Sequence, residues 1–290
     1  VCSTGVIGVP LPMDRIRKGV AQCVAAISDT GGVDAAEAIM TTDTVPKELA
    51  MKATIGGGTV VIGAMAKGAG MIAPNMATML CFVTTDAEID SETLHDALSE
   101  AVDASFNRIC IDNDMSTNDT VLCLANGASE VRLEPDSDEL AEFTAMLTVV
   151  CQDLAKRLVK DGEGATKFVE IEVDGADSDR QARMIAKSIA TSMLTKTAFF
   201  GQDPNWGRII CATGYAGVDF DPAAISLWLD DLQLVANGVP TQFAEEDAAR
   251  RMQQSEFVLR LCVGSGEGKA WYWTSDLSHD YVTINADYRT

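Results

Sequence analysis

The stretch KGAGMIAPNMATMLCFVTTDAEID sets one threonine, Thr78, between the small Ala77 and an apolar run, directly after a segment that contains Gly68, Gly70, Pro74 and Asn75. A threonine hydroxyl is a feeble nucleophile until a base removes its proton. The chain holds two histidines, His95 and His279, so a His-based triad or a His-rich metal site is a poor fit. One solution needs no histidine. If the bond before Thr78 is cut, the new α-amino group, with a reference pKa of about 8, becomes a base held on the same residue. Such self-cleavage favours a small preceding residue and a bent backbone. Ala77 is small, and the Gly, Pro and Asn residues before it supply the bend. Branching at Cβ keeps the hydroxyl aimed. Taken alone, the same spacing more often describes a threonine that begins a strand. In STGVIG, Thr4 and Gly5 stand where a hydroxyl and an amide N–H could point at a developing oxyanion. Without further support, an ordinary glycine turn accounts for them better.

Positioning such groups is the task of the surrounding elements. Strands alternate with helices along the chain, the pattern of an α/β fold of layered sheets and helices. VCSTGVIGV reads as a strand running into a turn. Residues 14–30 set Ile16, Val20, Cys23, Val24 and Ile27 on one helical face, with Gly31-Gly32 as the stop. A strand-rich stretch runs through GGGTVVIGAMAKG, and MLCFVTTDA reads as a short apolar strand covered on both sides. Leu94, Leu98 and Val102 mark a helix over 91–106, and RICID and TVLCLANG read as strands. The plainest helix spans 137–160, with Ser137 as N-cap and Leu140, Phe143, Leu147, Cys151, Leu154 and Leu158 along one face. DGEGATK then breaks the pattern. It divides the chain into two domains, a nucleophile-bearing 1–163 and a C-terminal α/β domain 164–290. The second comprises FVEIEV, a helix over 178–194, the apolar run RIICATG, a hairpin-like ISLWLDDLQLVANG and a short helix near 244–253. FVLRLCV, AWYWTSD and YVTINAD read as its closing strands.

The totals exclude several functions. The 290 residues are 47% hydrophobic, enough for a large core, yet no stretch approaches the roughly 20 uninterrupted apolar residues of a membrane span. No charged-then-apolar leader opens the chain, which reads as soluble and not secreted. It starts on a valine in mid-strand, so a preceding segment is expected. The net charge is -21, and residues 1–77 carry six acidic and six basic side chains, so the excess lies after Thr78. A surface this acidic repels nucleic acid and suits solubility or a salty medium. The eight cysteines occur singly, without a CxxC pair, as expected of buried thiols in a reducing cytoplasm. The GxG of KGAGM lacks the third glycine and the βαβ unit of a dinucleotide loop.

Seven stretches, in order, are STGVIG, MTTDTVPK, AKGAGMIAPNMATML, NRICIDNDMSTNDT, GEGATKFV, KTAFFGQDPNWGRI and INADYRT. With them the chain resembles, from its first residues to its last, the ornithine acetyltransferase family, the bifunctional glutamate N-acetyltransferases of arginine biosynthesis. The resemblance implies self-cleavage between Ala77 and Thr78, two chains that stay together, and Thr78 as nucleophile. It implies an oxyanion hole at Thr4 and Gly5, and substrate contacts at Thr41, Lys67, Thr78, Glu163, Asn285 and Thr290. N-acetylornithine carries a carboxylate and an ammonium, for which Lys67 and Glu163 are natural partners.

The mechanism implied is a double displacement, in which the acetyl group passes from N-acetylornithine to Thr78 and then to glutamate. It needs no metal or organic cofactor; in some members acetyl-CoA also serves as donor. The resemblance further implies a cytoplasmic enzyme and a heterotetramer of two cleaved α and two β chains, the site lying between the domains. NDMSTNDT and GQDPNWGRI read as loops that shape the site or the subunit contact. Two rival readings are a self-cleaving N-terminal-nucleophile amidase or peptidase and a silent amino-acid-binding relative. GEGATK with NADYRT speaks against the first, and intact Thr4, Gly5, Ala77 and Thr78 against the second.

Overall fold

Two β-sheets, one of four strands and one of seven, organise the chain in a computed structural model that describes residues 2–73 and 79–287. The first part begins with helices α1 (Met13–Ala25) and α2 (Gly32–Ala38). Strands β1 (Lys47–Ile55) and β2 (Gly58–Lys67) then form an antiparallel hairpin running from Lys47↔Ala66 to Ile55↔Gly58. Its two-residue turn, Gly56-Gly57, has φ of 57° and 82°, which the right-handed strand twist favours and side chains resist. Next come β3 (Leu80–Thr85), α3 (Ser91–Asp103), β4 (Ile109–Cys110) and β5 (Thr120–Ala125). The order of the first sheet is β1-β2-β3-β5, with β3 and β5 parallel.

Helix α4 (Asp138–Lys160) follows, and here pattern and structure agree closely. The Ser137 hydroxyl accepts the Leu140 N–H, and Phe143, Leu147, Cys151, Leu154 and Leu158 are buried along one face. With α3 it covers one face of the first sheet, burying Val60, Ile62, Cys81 and Val83.

The second part runs β6 (Phe168–Ala176), α5 (Asp179–Thr191), α6 (Met193–Phe200) and α7 (Trp206–Gly214). It continues with β7 (Ser226–Leu229), β8 (Leu232–Ala236), β9 (Val239–Pro240) and α8 (Glu245–Met252). Strands β10 (Glu256–Cys262) and β11 (Gly268–Ser275) and helix α9 (His279–Asp287) complete it. The order of its sheet is β4-β11-β6-β10-β7-β8-β9. Strand β4, from the first part, thus sits at the edge of the second sheet. Neighbours on β11 serve both cores: Trp273 packs in the cluster around α4, Tyr272 in the cluster around α5. Alternation along a strand makes one strand the wall between them.

Several elements differ from the sequence pattern. Residues 2–9 form no strand, and α1 ends at Ala25 with no buried residue, while Gly32 opens α2 rather than stopping α1. Strand β3 is covered fully on one face, where Cys81, Val83 and Thr85 are buried, and only partly on the other, which runs from buried Leu80 to exposed Thr84, with Leu124 exposed beside it on β5. RIICATG folds as most of α7, where the Asn205 side chain accepts the Arg208 N–H and Ile209, Ala212 and Thr213 face inward. YVTINAD is α9, started by the Ser278 hydroxyl accepting the Tyr281 N–H. Short apolar runs fit either period, and local capping decides.

Candidate active site

The site forms where β2, α4 and α9 end. Below the end of β2 lies the buried carboxylate of Asp43, which accepts the Gly68 N–H at 2.7 Å, Lys47 Nζ at 2.7 Å and the Thr41 N–H at 3.2 Å. Burial pushes this carboxyl up, but those bonds win and hold it below the usual carboxylate range. Lys47, 1% exposed, also donates to Asp161 at the C-terminus of α4. One buried ion cluster therefore fixes the 41–44 turn, the start of β1 and the end of α4.

Past Asp161 the chain turns through Gly162, Glu163 and Gly164. The Glu163 N–H donates to the Ala69 carbonyl at 2.7 Å, bringing this turn against the 68–72 turn. Gly70 allows the approach, since a Cβ there would lie 2.5 Å from Glu163 Oε2. Gly164 has φ of 66°, and a Cβ on it would lie 2.5 Å from the Tyr281 nitrogen. Helix α9 packs over this corner: Asn285 Nδ2 donates to Glu163 Oε2 at 2.8 Å, and the Tyr281 hydroxyl to Asp112 Oδ2 at 3.2 Å. Asp112 also accepts the Met71 and Ile72 N–H groups at 2.6 and 2.9 Å. Burial raises the Asp112 carboxyl above its ordinary value against these bonds, and burial beside Asp112 raises the Tyr281 phenol.

Thr4, Gly5, Thr41, Glu163 and Asn285 line one cavity of about 450 Å³. The Thr4 hydroxyl oxygen is buried and has no hydrogen-bond partner among the described residues, an arrangement suited to an incoming polar atom. Lys67 does not line the cavity. It is 1% exposed and stands behind Thr41, with Nζ 3.5 Å from the Thr41 hydroxyl. Burial lowers its pKa, while Asp43 and Asp119 oppose that shift. Ala77, Thr78 and Thr290 lie outside the described residues.

Sequence reasoning assigned no role to Asp112, Asp114 or Tyr281, which also line the cavity. The polar, turn-rich NDMSTNDT stretch signalled a site loop, and Asp114 to Asn118 do form one wall. No comparable signal marked Tyr281, because YVTINAD reads as a strand.

A family model described as the ArgJ family matches residues 1–290. The "Arginine biosynthesis bifunctional protein ArgJ" of Symbiobacterium thermophilum is 54% identical over all of this chain, which spans 72% of that protein. That of Geobacter sulfurreducens is 52% identical, again over the whole chain and 74% of the relative. A crystal structure of the Bacillus halodurans ArgJ protein superposes with a TM-score of 0.69 at 44% identity, over 71% of this chain and 98% of that one.

Proposed function

The chain belongs to the ArgJ family, enzymes of arginine biosynthesis, and from that premise we propose that it transfers acetyl from N-acetylornithine to glutamate through an acetyl-threonine on Thr78. One observation carries the reading: Thr4, Gly5, Thr41, Glu163 and Asn285, scattered along the sequence, line a single cavity. Cleavage between Ala77 and Thr78 frees the α-amino group that takes the hydroxyl proton. Thr78 Oγ1 attacks the acetyl carbonyl, and the Thr4 hydroxyl and the Gly5 N–H receive the oxyanion. The tetrahedral adduct expels the ornithine amine, which leaves with the proton from the α-ammonium. Glutamate then repeats the sequence in reverse and departs as N-acetylglutamate.

Glu163, steadied by Asn285, is the partner for the substrate ammonium. Lys67 contributes from behind Thr41, orienting that hydroxyl and presenting positive charge to the substrate carboxylate. Division of the chain at 163/164, pairing of two cleaved units, use of acetyl-CoA as a second donor and a cytoplasmic location belong to the same proposal. No described helix is long and apolar enough to cross a membrane.

The test joins an assay to a mass measurement. The purified protein is expected to form ornithine and N-acetylglutamate in equal amounts, and to show two species under denaturing conditions split between residues 77 and 78. Thr78→Ala should show one uncut species and no transfer. Transfer at the wild-type rate by an uncut protein would refute the mechanism.

A further inference from the structure

Asp119 has no part in the roles assigned above, yet it grips the chain beside the nucleophile. Its Oδ1 accepts the Met79 N–H at 2.9 Å, and the next residue, Thr120, donates its own N–H to the Met79 carbonyl at 3.1 Å. Met79, 1% exposed, is thereby held on both sides of its α-carbon by two consecutive residues. The nitrogen that Asp119 holds is the one bonded to the carbonyl carbon of Thr78. Register places the neighbours: Lys67 pairs with Leu80, and Leu80 with Thr120, so the ends of β2, β3 and β5 form one row.

Lys67 is the charged group that faces Asp119 from β2. Ser116 faces it from its own loop, and Asp43 and Lys47 act on Lys67 from the far side. Burial pushes the Asp119 carboxyl up to about 6, and Lys67 and the Met79 N–H oppose that shift. Holding an amide requires only an oxygen acceptor, which asparagine would supply without desolvating a charge. A half-buried carboxylate here calls for a role that uses its charge.

We propose that Asp119 is a positioning residue for acyl transfer: its carboxylate fixes the peptide that follows Thr78 and, as a counter-charge in the same row of strand ends, holds the Lys67 ammonium in place beside the pocket. This rests on the acetyl-transfer reading above. Protonating Asp119 takes its negative charge from beside Lys67 and turns the charge-assisted bond from the Met79 N–H into a weaker neutral one, so transfer must fall as pH drops through the Asp119 titration.

The experiment is the pH profile of kcat/KM for acetylornithine, in wild type and in Asp119→Asn, which keeps an acceptor for Met79 and loses the titration. The Thr78 α-amino group, with a reference pKa of about 8, gives both proteins a tenfold fall per pH unit on the acid side. In wild type a second ionisation near 6 steepens this towards a hundredfold per unit, roughly, at lower pH. Asp119→Asn is expected to keep the tenfold slope throughout and to run at least about tenfold below wild type at pH 8. A wild-type profile without the second limb overturns the proposal, even if the variant fails to fold. So does a variant that keeps both limb and rate. A wild type that makes no N-acetylglutamate at any pH sinks the acetyl-transfer reading and this one with it; active wild type with either flat result sinks only this one.

Discussion

Replacing Gly70 by alanine perturbs the pocket without removing any group assigned to chemistry. The added Cβ would lie 2.5 Å from Glu163 Oε2 and 2.6 Å from its Cδ, whereas unstrained contacts begin near 3.5 Å, so about 1 Å of movement is required. The Glu163 backbone cannot retreat, because its N–H is bonded to the Ala69 carbonyl at 2.7 Å. The side chain must swing, and the 2.8 Å bond from Asn285 breaks. A hydrogen bond to a charged group is worth about 1.5–3 kcal/mol, which corresponds to roughly 10- to 150-fold in affinity. The KM for acetylornithine is therefore expected to rise by one to two orders of magnitude. The fold should hold, since Gly70 is not among the described glycines of positive φ, and the melting temperature should move by only about 2 °C. Steady-state kinetics beside thermal melts separate the two effects. Gly19→Ala, whose Cβ meets nothing within 4 Å, serves as control. An unchanged KM in a folded Gly70→Ala enzyme would refute the placement of Glu163 at the substrate ammonium.

Two further perturbations address the scaffold. Lys47→Met leaves the Asp43 and Asp161 carboxylates without their buried cation, at a cost of about 3–5 kcal/mol, or roughly 6–20 °C in melting temperature. In wild type the Asp43 carboxyl lies below its ordinary value, so its contribution is full above about pH 4 and is lost as pH falls through the lowered folded pKa. In the variant burial acts with less opposition, and acid restores stability by protonating Asp43. Melts at about pH 7 and pH 4 should show the gap to wild type narrowing, and a gap independent of pH would count against the buried pair. Ser137→Ala removes the α4 cap, for about 1 kcal/mol and a 2–4 °C lower melting temperature. Activity should be unchanged, because the cap lies about 35 Å along α4 from the pocket end; a changed KM would show that α4 does not hold the site rigidly.

How far the sequence revealed the site depends on the range of the forces that build each part. Helix α4 was legible because its cap and its stop directly flank the 23 residues that carry its buried face. The start of the chain, α7 and α9 were not, because a short apolar run satisfies two periods and its outcome rests on one capping side chain or a distant partner. The types of the site residues could be read, but not their meeting. Asn285 reaches Glu163 across 122 residues and Tyr281 reaches Asp112 across 169, and no local periodicity encodes either contact. What the sequence did carry is the set of constraints those contacts impose. Glu163 approaches the 68–72 turn only over a residue without a side chain, and α9 approaches the 162–164 turn only beside a left-handed glycine. The glycines of KGAG and GEG are therefore the local trace of a long-range site. Lys67 shows the complementary limit: nothing in GAMAKG says that its ammonium is enclosed behind Thr41 between Asp43 and Asp119. That enclosure makes its charge depend on neighbours 24 and 52 positions away in the sequence, which a reading of either segment alone cannot supply.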